Sequence, residues 1–319
     1  MGRGAVRRAR ALLAALLLAC LAPAAAGCGF GEGEERAGGG ATLRVTRDFG
    51  HREIGQVRID KVREGQTVMR MLRSEFDVKT RFGGRFVQSI DGLAGQGSGG
   101  QVDWFFFVNG VEADKGAAEW KVSPGDQIQW DRRDWSAAMR VPAIVGAYPE
   151  PFVSGVGGKR RPVRVECEDV QAKACTEARA RLKEAGVPTS GSSVGAPGTE
   201  EVTRLVVARW PQARGVRGAS ELENGPESSG VFARFSDDGS TLELLDDHGD
   251  TARRVHRGDG VGLVFALQPR AEELLWVVTA LDEKGLEAGV EALDRSKLRD
   301  AFAVAVEDGR ALKLPLVGE

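Results

Sequence analysis

The sequence predicts an α+β protein: a small N-terminal α+β domain followed by a second domain of mixed α/β character. Three observations lead there. A chain of 319 residues is long enough for about two domains. Residues 42–135 hold one amphipathic helical pattern among five or six short strand-like runs bounded by turn dipeptides. Residues 161–319 mix strand-like and helical runs, and the Pro- and Gly-rich stretch 136–160 between the blocks reads as a linker. Part of that stretch, Met139 to Ala147, is a candidate edge strand.

The chain begins with an address. Arg3, Arg7, Arg8 and Arg10 precede an apolar run from Ala11 to Ala22. Twelve helical residues span about 18 Å, short of the ~30 Å hydrocarbon core, so 1–27 reads as an export signal and not as a membrane span. The residues Ala25-Ala26-Gly27-Cys28 resemble the lipobox of bacterial lipoproteins. That resemblance implies cleavage before Cys28, its lipidation, and anchoring to the lipid bilayer at the outer face of the cytoplasmic membrane. Leu17-Leu18-Ala19-Cys20 is an alternative lipobox, and plain secretion is the remaining alternative. Residues 28–41, rich in Gly and Glu, read as a flexible tether.

In the first block, Thr42 to Thr46 and Gln56 to Val62 are strand candidates. Gly65-Gln66-Thr67 supplies turn and cap chemistry for a helix whose Val68, Met71, Leu72 and Phe76 form one apolar stripe. Arg85 to Ile90 is a short strand ending in the turn dipeptide Asp91-Gly92. Asp103 to Val108 is apolar on both faces and predicts a strand buried on both sides, closed by the hairpin signal Asn109-Gly110. Glu119 to Val122 and Gln127 to Asp131 flank the turn Ser123-Pro124-Gly125-Asp126. Trp104, Trp120, Trp130 and Trp135 read mainly as core, with ligand stacking on a sheet face as the minority reading.

These residues carry a resemblance. Gly83-Gly84, Ser89-Ile90-Asp91-Gly92, Trp104-x-Phe106-x-Val108-Asn109-Gly110, Gly125-Asp126 and Trp130 occur in one order and spacing across residues 45–135. That stretch is similar to a domain of unknown function on bacterial surface proteins. The same family includes the C-terminal domain of the vertebrate cobalamin carriers, transcobalamin and intrinsic factor. The resemblance implies a β-grasp fold of the soluble-ligand-binding type over 42–135, with a small soluble ligand such as a corrinoid. The carriers pair this domain with a helical barrel, and no helical repeat here corresponds to one. The expected contact loops hold Phe82, Gly83, Gly84 and Phe86, then Asp91, Gly92 and Gly97, then Asn109 and Gly110. Glycine there permits close backbone approach, and the two phenylalanines supply apolar contact.

The second block, 161–319, carries no recognisable family. Strands are expected at Pro162–Glu166, Thr203–Ala208, Val231–Phe235, Thr241–Leu244, Gly262–Leu267, Leu275–Ala280, Ala303–Val306 and Ala311–Leu314. Helices are expected at Val170–Ala185, Gly285–Leu293 and Ser296–Ala301, and loops at Thr189–Glu200 and Arg214–Ser229. Cys167 ends a strand and Cys175 lies in the following helix, so in an exported chain the two are expected to form a disulfide.

Other motifs lack the context their chemistry needs. Gly95-Gln96-Gly97-Ser98-Gly99-Gly100 matches G-x-G-x-x-G, but a strand follows it where a nucleotide site needs a helix. Gly191-Ser192-Ser193-Val194-Gly195 matches a hydrolase elbow but follows a helix end in a Ser/Gly/Pro loop. Asp246, Asp247, His248, Asp250 and His256 lack metal-ligand spacing. No catalytic set, metal or cofactor is therefore expected. A net charge of -2 argues against nucleic acid as a partner. The expected function is that of a non-enzymatic binding lipoprotein outside the cytoplasm, delivering a ligand to an uptake system. The alternative is a structural lipoprotein docking an envelope protein through its sheet.

Overall fold

Leu43 and Val45 alternate with Arg44 and Thr46, the period of a strand with two different faces. The computed structural model, which describes residues 39–97, 99–198 and 201–318, places them in β1 (Ala41–Arg47). The expected signal at 1–27, the lipidation site Cys28 and most of the tether lie outside the described residues. A hairpin returns as β2 (Arg52–Ile59), somewhat earlier than the expected Gln56–Val62. The helix α1 (Val68–Glu75) follows, capped by the Thr67 hydroxyl, which accepts from the Arg70 N–H at 3.2 Å. Its Val68, Met71 and Leu72 are buried and Phe76 packs at the margin, as the stripe requires.

Three short strands, β3 (Val78–Arg81), β4 (Phe86–Ile90) and β5 (Leu93–Ala94), form a small antiparallel sheet. The chain then enters β6 (Val102–Val108), turns at Asn109-Gly110 into β7 (Val111–Glu112), and returns as β8 (Gln127–Asp134). Asn109 and Gly110 both have positive φ, the geometry of a tight hairpin. The five-stranded order is β2-β1-β8-β6-β7, with β1 parallel to β8 at its centre. A hairpin, a helix across it, and parallel first and last strands make this block β-grasp-like. Glu119–Val122 is not a full strand; Lys121 makes one isolated bridge to Thr67.

The second block is built on a seven-stranded mixed sheet. Its strands are β9 (Val163–Cys167), β10 (Thr189–Ser193), β11 (Thr203–Val207), β15 (Gly262–Arg270), β16 (Glu273–Ala280), β17 (Ala303–Glu307) and β18 (Arg310–Leu314), in the order β10-β9-β11-β16-β15-β17-β18. A separate antiparallel sheet joins β12 (Ala233–Phe235), β13 (Thr241–Leu245) and β14 (Thr251–His256). Helices α2 (Lys173–Glu184) and α3 (Glu283–Glu291) cover one face of the large sheet with Ala178, Leu182, Leu286 and Val290. Close approach of α3 depends on Gly262, where a Cβ would meet the Gly285 carbonyl oxygen at 2.3 Å. The opposite face packs Leu263, Phe265, Leu275 and Val277 against Trp210, Phe232 and Phe235. The Cys167–Cys175 disulfide ties β9 to the first turn of α2, with Cα atoms 5.9 Å apart.

Some polar segments proved more ordered than their composition suggested. Thr189–Ser193 was expected as loop and is β10, held by parallel pairing to β9. Arg214–Ser229 is not an exposed loop, because it forms short helical turns that bury Val216, Leu222 and Pro226. Met139–Ala147 forms no strand beyond a single bridge between Ala143 and Val111. The 136–160 stretch contributes Val141 and Ile144 to one core and Val145, Tyr148 and Phe152 to another. Its proline and glycine therefore mark an irregular but buried path.

Candidate functional site

The loop after β7 and the 151–161 segment converge on β16 of the second block. Together they line a half-open pocket of about 530 Å³, within the range of small-molecule sites. Trp120 supplies a half-buried aromatic wall, with Val156 and Leu274 adding apolar surface. Lys115, Lys121 and Lys159 line it without an ion-pair partner among the described residues, whereas Arg161 pairs with Glu272. Asp114 and Glu119 complete a lining of both charge signs. Such a cavity suits a polar or zwitterionic molecule with one flat apolar face.

Local structure fixes the walls. The Trp120 carbonyl accepts from the Val68 N–H at 3.0 Å, and the Val122 N–H donates to the Gln66 carbonyl at 2.9 Å, so this loop is stitched to the start of α1. Gly155 on the opposing wall has φ near +77° and lies so close to the Lys159 carbonyl oxygen that a Cβ would sit 2.0 Å from it. The buried Asn109 amide donates to the Gly155 carbonyl at 2.7 Å and to Asp126 Oδ1 at 2.9 Å. Burial pushes the Asp126 carboxyl above its usual range, opposed by its hydrogen bonds to the Ser123 N–H and to Asn109. Glu150 is raised by burial too, and accepts from the Ser154 N–H and hydroxyl, both at 2.8 Å.

The residues expected at a site are not gathered in one place. Asn109 stands behind the Gly155 wall, and Gly110 packs against the Ile144 carbonyl. Asp91 Oδ1 accepts from the Asp77 N–H at 2.8 Å, which fixes the turn that Gly92 completes. Phe82, Gly83, Gly84 and Phe86 form the tip between β3 and β4, and Gly97 lies beside the Arg81 guanidinium. That tip and the cavity sit at opposite ends of α1, since Arg73 near the helix C-terminus donates to Thr80 at 2.9 Å. The eight-residue helix between them is about 12 Å long.

Sequence reasoning missed the cavity because its walls come from three distant segments, none carrying a motif. Trp120 was the available signal. Ser193 ends the edge strand β10 and makes no hydrogen bond to a histidine among the described residues. Asp246 Oδ1 accepts from the His248 and Asp250 N–H groups, as in a hairpin turn. No group of three or more metal-ligating side chains occurs among the described residues. None of their helices is long and apolar enough to cross a membrane.

Residues 65–133 match the family described as Domain of unknown function (DUF4430), a span confined to the first block. A solved structure from Ruminococcus gnavus, provisionally named a metal binding protein, is 20% identical over 30% of this chain and 98% of its own. Its TM-score is 0.26, too low to carry that protein's fold or ligand over to this chain. No curated protein matches.

Proposed function

We propose that this chain is a non-enzymatic binding protein of the bacterial cell envelope, exported by residues 1–27 and anchored at the outer face of the cytoplasmic membrane through Cys28. Its soluble ligand occupies the cavity beside Trp120. The observation that carries this reading is the half-open, mixed-charge pocket with one aromatic wall and three lysines that have no ion-pair partner among the described residues. The resemblance to the cobalamin carriers adds a corrinoid as a specific ligand to try, although a cavity of about 530 Å³ favours a smaller molecule or one fragment of a corrinoid.

The test is a fluorescence titration of the protein with cobalamin, cobinamide and a panel of zwitterionic metabolites, beside the variant Trp120→Ala. The reading expects saturable quenching by at least one compound, weakened about tenfold or more in the variant. No saturable response at micromolar concentration would sink the small-molecule reading. Mass spectrometry of the membrane-extracted protein tests the anchor separately, since diacylation at Cys28 leaves a heavier N-terminal peptide. Labelling of Ser193 by a fluorophosphonate would overturn the non-enzymatic part.

A further inference from the structure

Among the described residues, the largest exposed apolar side chains are Phe82, Phe86 and Met139. Two of the three sit on one hairpin tip. Phe82 is 80% exposed and Phe86 37% exposed, and their rings touch edge to face with centroids 6.5 Å apart. Phe82 has a φ of 51°, a left-handed conformation that bulky residues seldom adopt, and Gly83 and Gly84 continue it. The strained turn holds an aromatic ring out of the fold instead of into it.

The flanks of the tip are basic. Lys79 and Arg81 share the outer face of β3, and Arg85 precedes Phe86. None of the three has a carboxylate within ion-pairing distance among the described residues, and Arg73 beneath them is bonded only to the Thr80 hydroxyl. Acidic groups in the neighbourhood are Glu75, Asp77 and Asp91, at the end of the β3–β4 hairpin away from the tip.

We propose that the Arg81–Phe86 tip is a bilayer-contact finger, its two phenylalanines entering the headgroup region of an anionic membrane while Lys79, Arg81 and Arg85 meet the lipid phosphates. The choice of occupant follows from shape and charge. The aromatic pair is convex and projects from a hairpin, so it needs a surface that yields around it. An anionic bilayer supplies such a surface and attracts the unpaired cations, each of which strengthens binding measurably near the lipid. The inference goes beyond the ligand cavity, and it rests on the anchored reading only for its role in the cell. There, Cys28 lies eleven residues before the first described residue, Gly39, so the tether keeps Gly39, where the fold begins, within about 40 Å of the membrane. At such an effective concentration even weak contact would orient the cavity toward or away from the bilayer.

The experiment uses the chain from Cys28 onward with Cys28→Ser, which retains every described element and cannot be acylated. Sedimentation with phosphatidylcholine vesicles is compared with sedimentation with vesicles containing one third phosphatidylglycerol. The proposal expects about tenfold stronger binding to the anionic vesicles, a loss of that binding in Phe82→Ser/Phe86→Ser, and weakening by salt. Equal binding by wild type and the double variant would overturn it. Failure to bind either vesicle, or crosslinking in cells from position 82 to a protein instead of lipid, would overturn it as well. Lipid attachment at Cys28 is read by mass spectrometry, so failure of the finger and failure of the anchor are distinguishable.

Discussion

Toward α1, the five-stranded sheet presents Leu43, Val45, Val108, Ile128 and Trp130. Toward the second block, the same strands present Arg44, Thr46, Gln129, Asp131 and Arg133, all buried as well. The first face is held by apolar area, which tolerates approximate fit. The second is held by pairing, which does not. Arg44 Nε sits 3.0 Å from Asp300 Oδ1 as an ion pair without hydrogen-bond alignment. Gln129 donates to the Asp300 carbonyl at 3.1 Å. Arg133 donates to the carbonyls of Ala138 at 2.7 Å and Met139 at 3.1 Å, and its guanidinium lies 3.9 Å from the Phe105 ring centroid. Phe49, from the β1–β2 turn, inserts its ring against Phe232 and Phe302. A polar face of this kind adds stability only when its groups find partners, so it specifies one way for the blocks to meet.

Removing one side chain from each face tests the difference directly. Arg133→Ala leaves two carbonyls without their donor and removes one of the two cations beside Glu112, which keeps Arg140 at 3.6 Å. We predict a loss of about 3–5 kcal/mol in urea unfolding. Leu43→Ala, a cavity on the apolar face, is expected to cost about 2–5 kcal/mol. Arg133→Met keeps a buried aliphatic stem but loses the guanidinium over Phe105, and should recover part of the loss. If Arg133→Ala costs under about 1 kcal/mol, the polar face is covered surface and not a specifying interface.

The two faces also differ in how far they could be read from the sequence. Leu43, Val45, Val68, Met71 and Leu72 announce their burial by period, and the helix and its cap follow. Arg44, Thr46, Gln129 and Asp131 carry the pattern of a solvated face, because alternation records polarity and not what covers it. The partners of Arg44 and Gln129 are Asp300, distant in sequence, and the Gly146 carbonyl, in the stretch expected as a linker. The same reason hid the cavity. Trp120, Lys159 and Glu272 come together only through tertiary contact, whereas the Cys167–Cys175 pair and the Asn109-Gly110 hairpin are local and legible. Strands β10 and β14 were missed because TSGSS and TARRVH have almost no apolar residues; pairing with neighbours orders them.

Protonation sharpens the contrast, since only the polar face titrates. Burial pushes the Asp131 carboxyl up to about 6, against hydrogen bonds from the Thr46 hydroxyl at 2.6 Å, the Gly50 N–H at 2.8 Å and the Phe49 N–H at 3.1 Å. The folded state therefore holds this proton more tightly than the unfolded chain, whose Asp titrates near ~3.9. Between about pH 4 and 6 the folded state binds more protons, so stability falls as pH rises, by about 3 kcal/mol over the whole window. Above it the penalty is constant. Urea unfolding at pH 4.5 and 7.5, beside Asp131→Asn, checks this: the wild type should lose stability across the interval relative to the variant. Parallel curves would mean that the three hydrogen bonds outweigh burial and that the carboxylate stays charged.

The smallest effect is expected at the third kind of surface, the exposed tip, which belongs to neither buried face. Phe82 is 80% exposed and Phe86 37%, so Phe86→Ser should shift stability by less than about 1 kcal/mol. Phe82→Gly has two opposed consequences. It relieves the positive φ, whose cost to an L-residue is about 1–2 kcal/mol, and it frees the unfolded chain, which costs about 0.5–1 kcal/mol. The net change should lie within about 1 kcal/mol, toward stabilisation. An aromatic residue that could be replaced at no cost to folding is retained for something other than folding. A loss above about 2 kcal/mol in either variant would instead mean that the rings are packed in solution. The tip would then join the buried faces, and no free side chain would be left to meet a membrane.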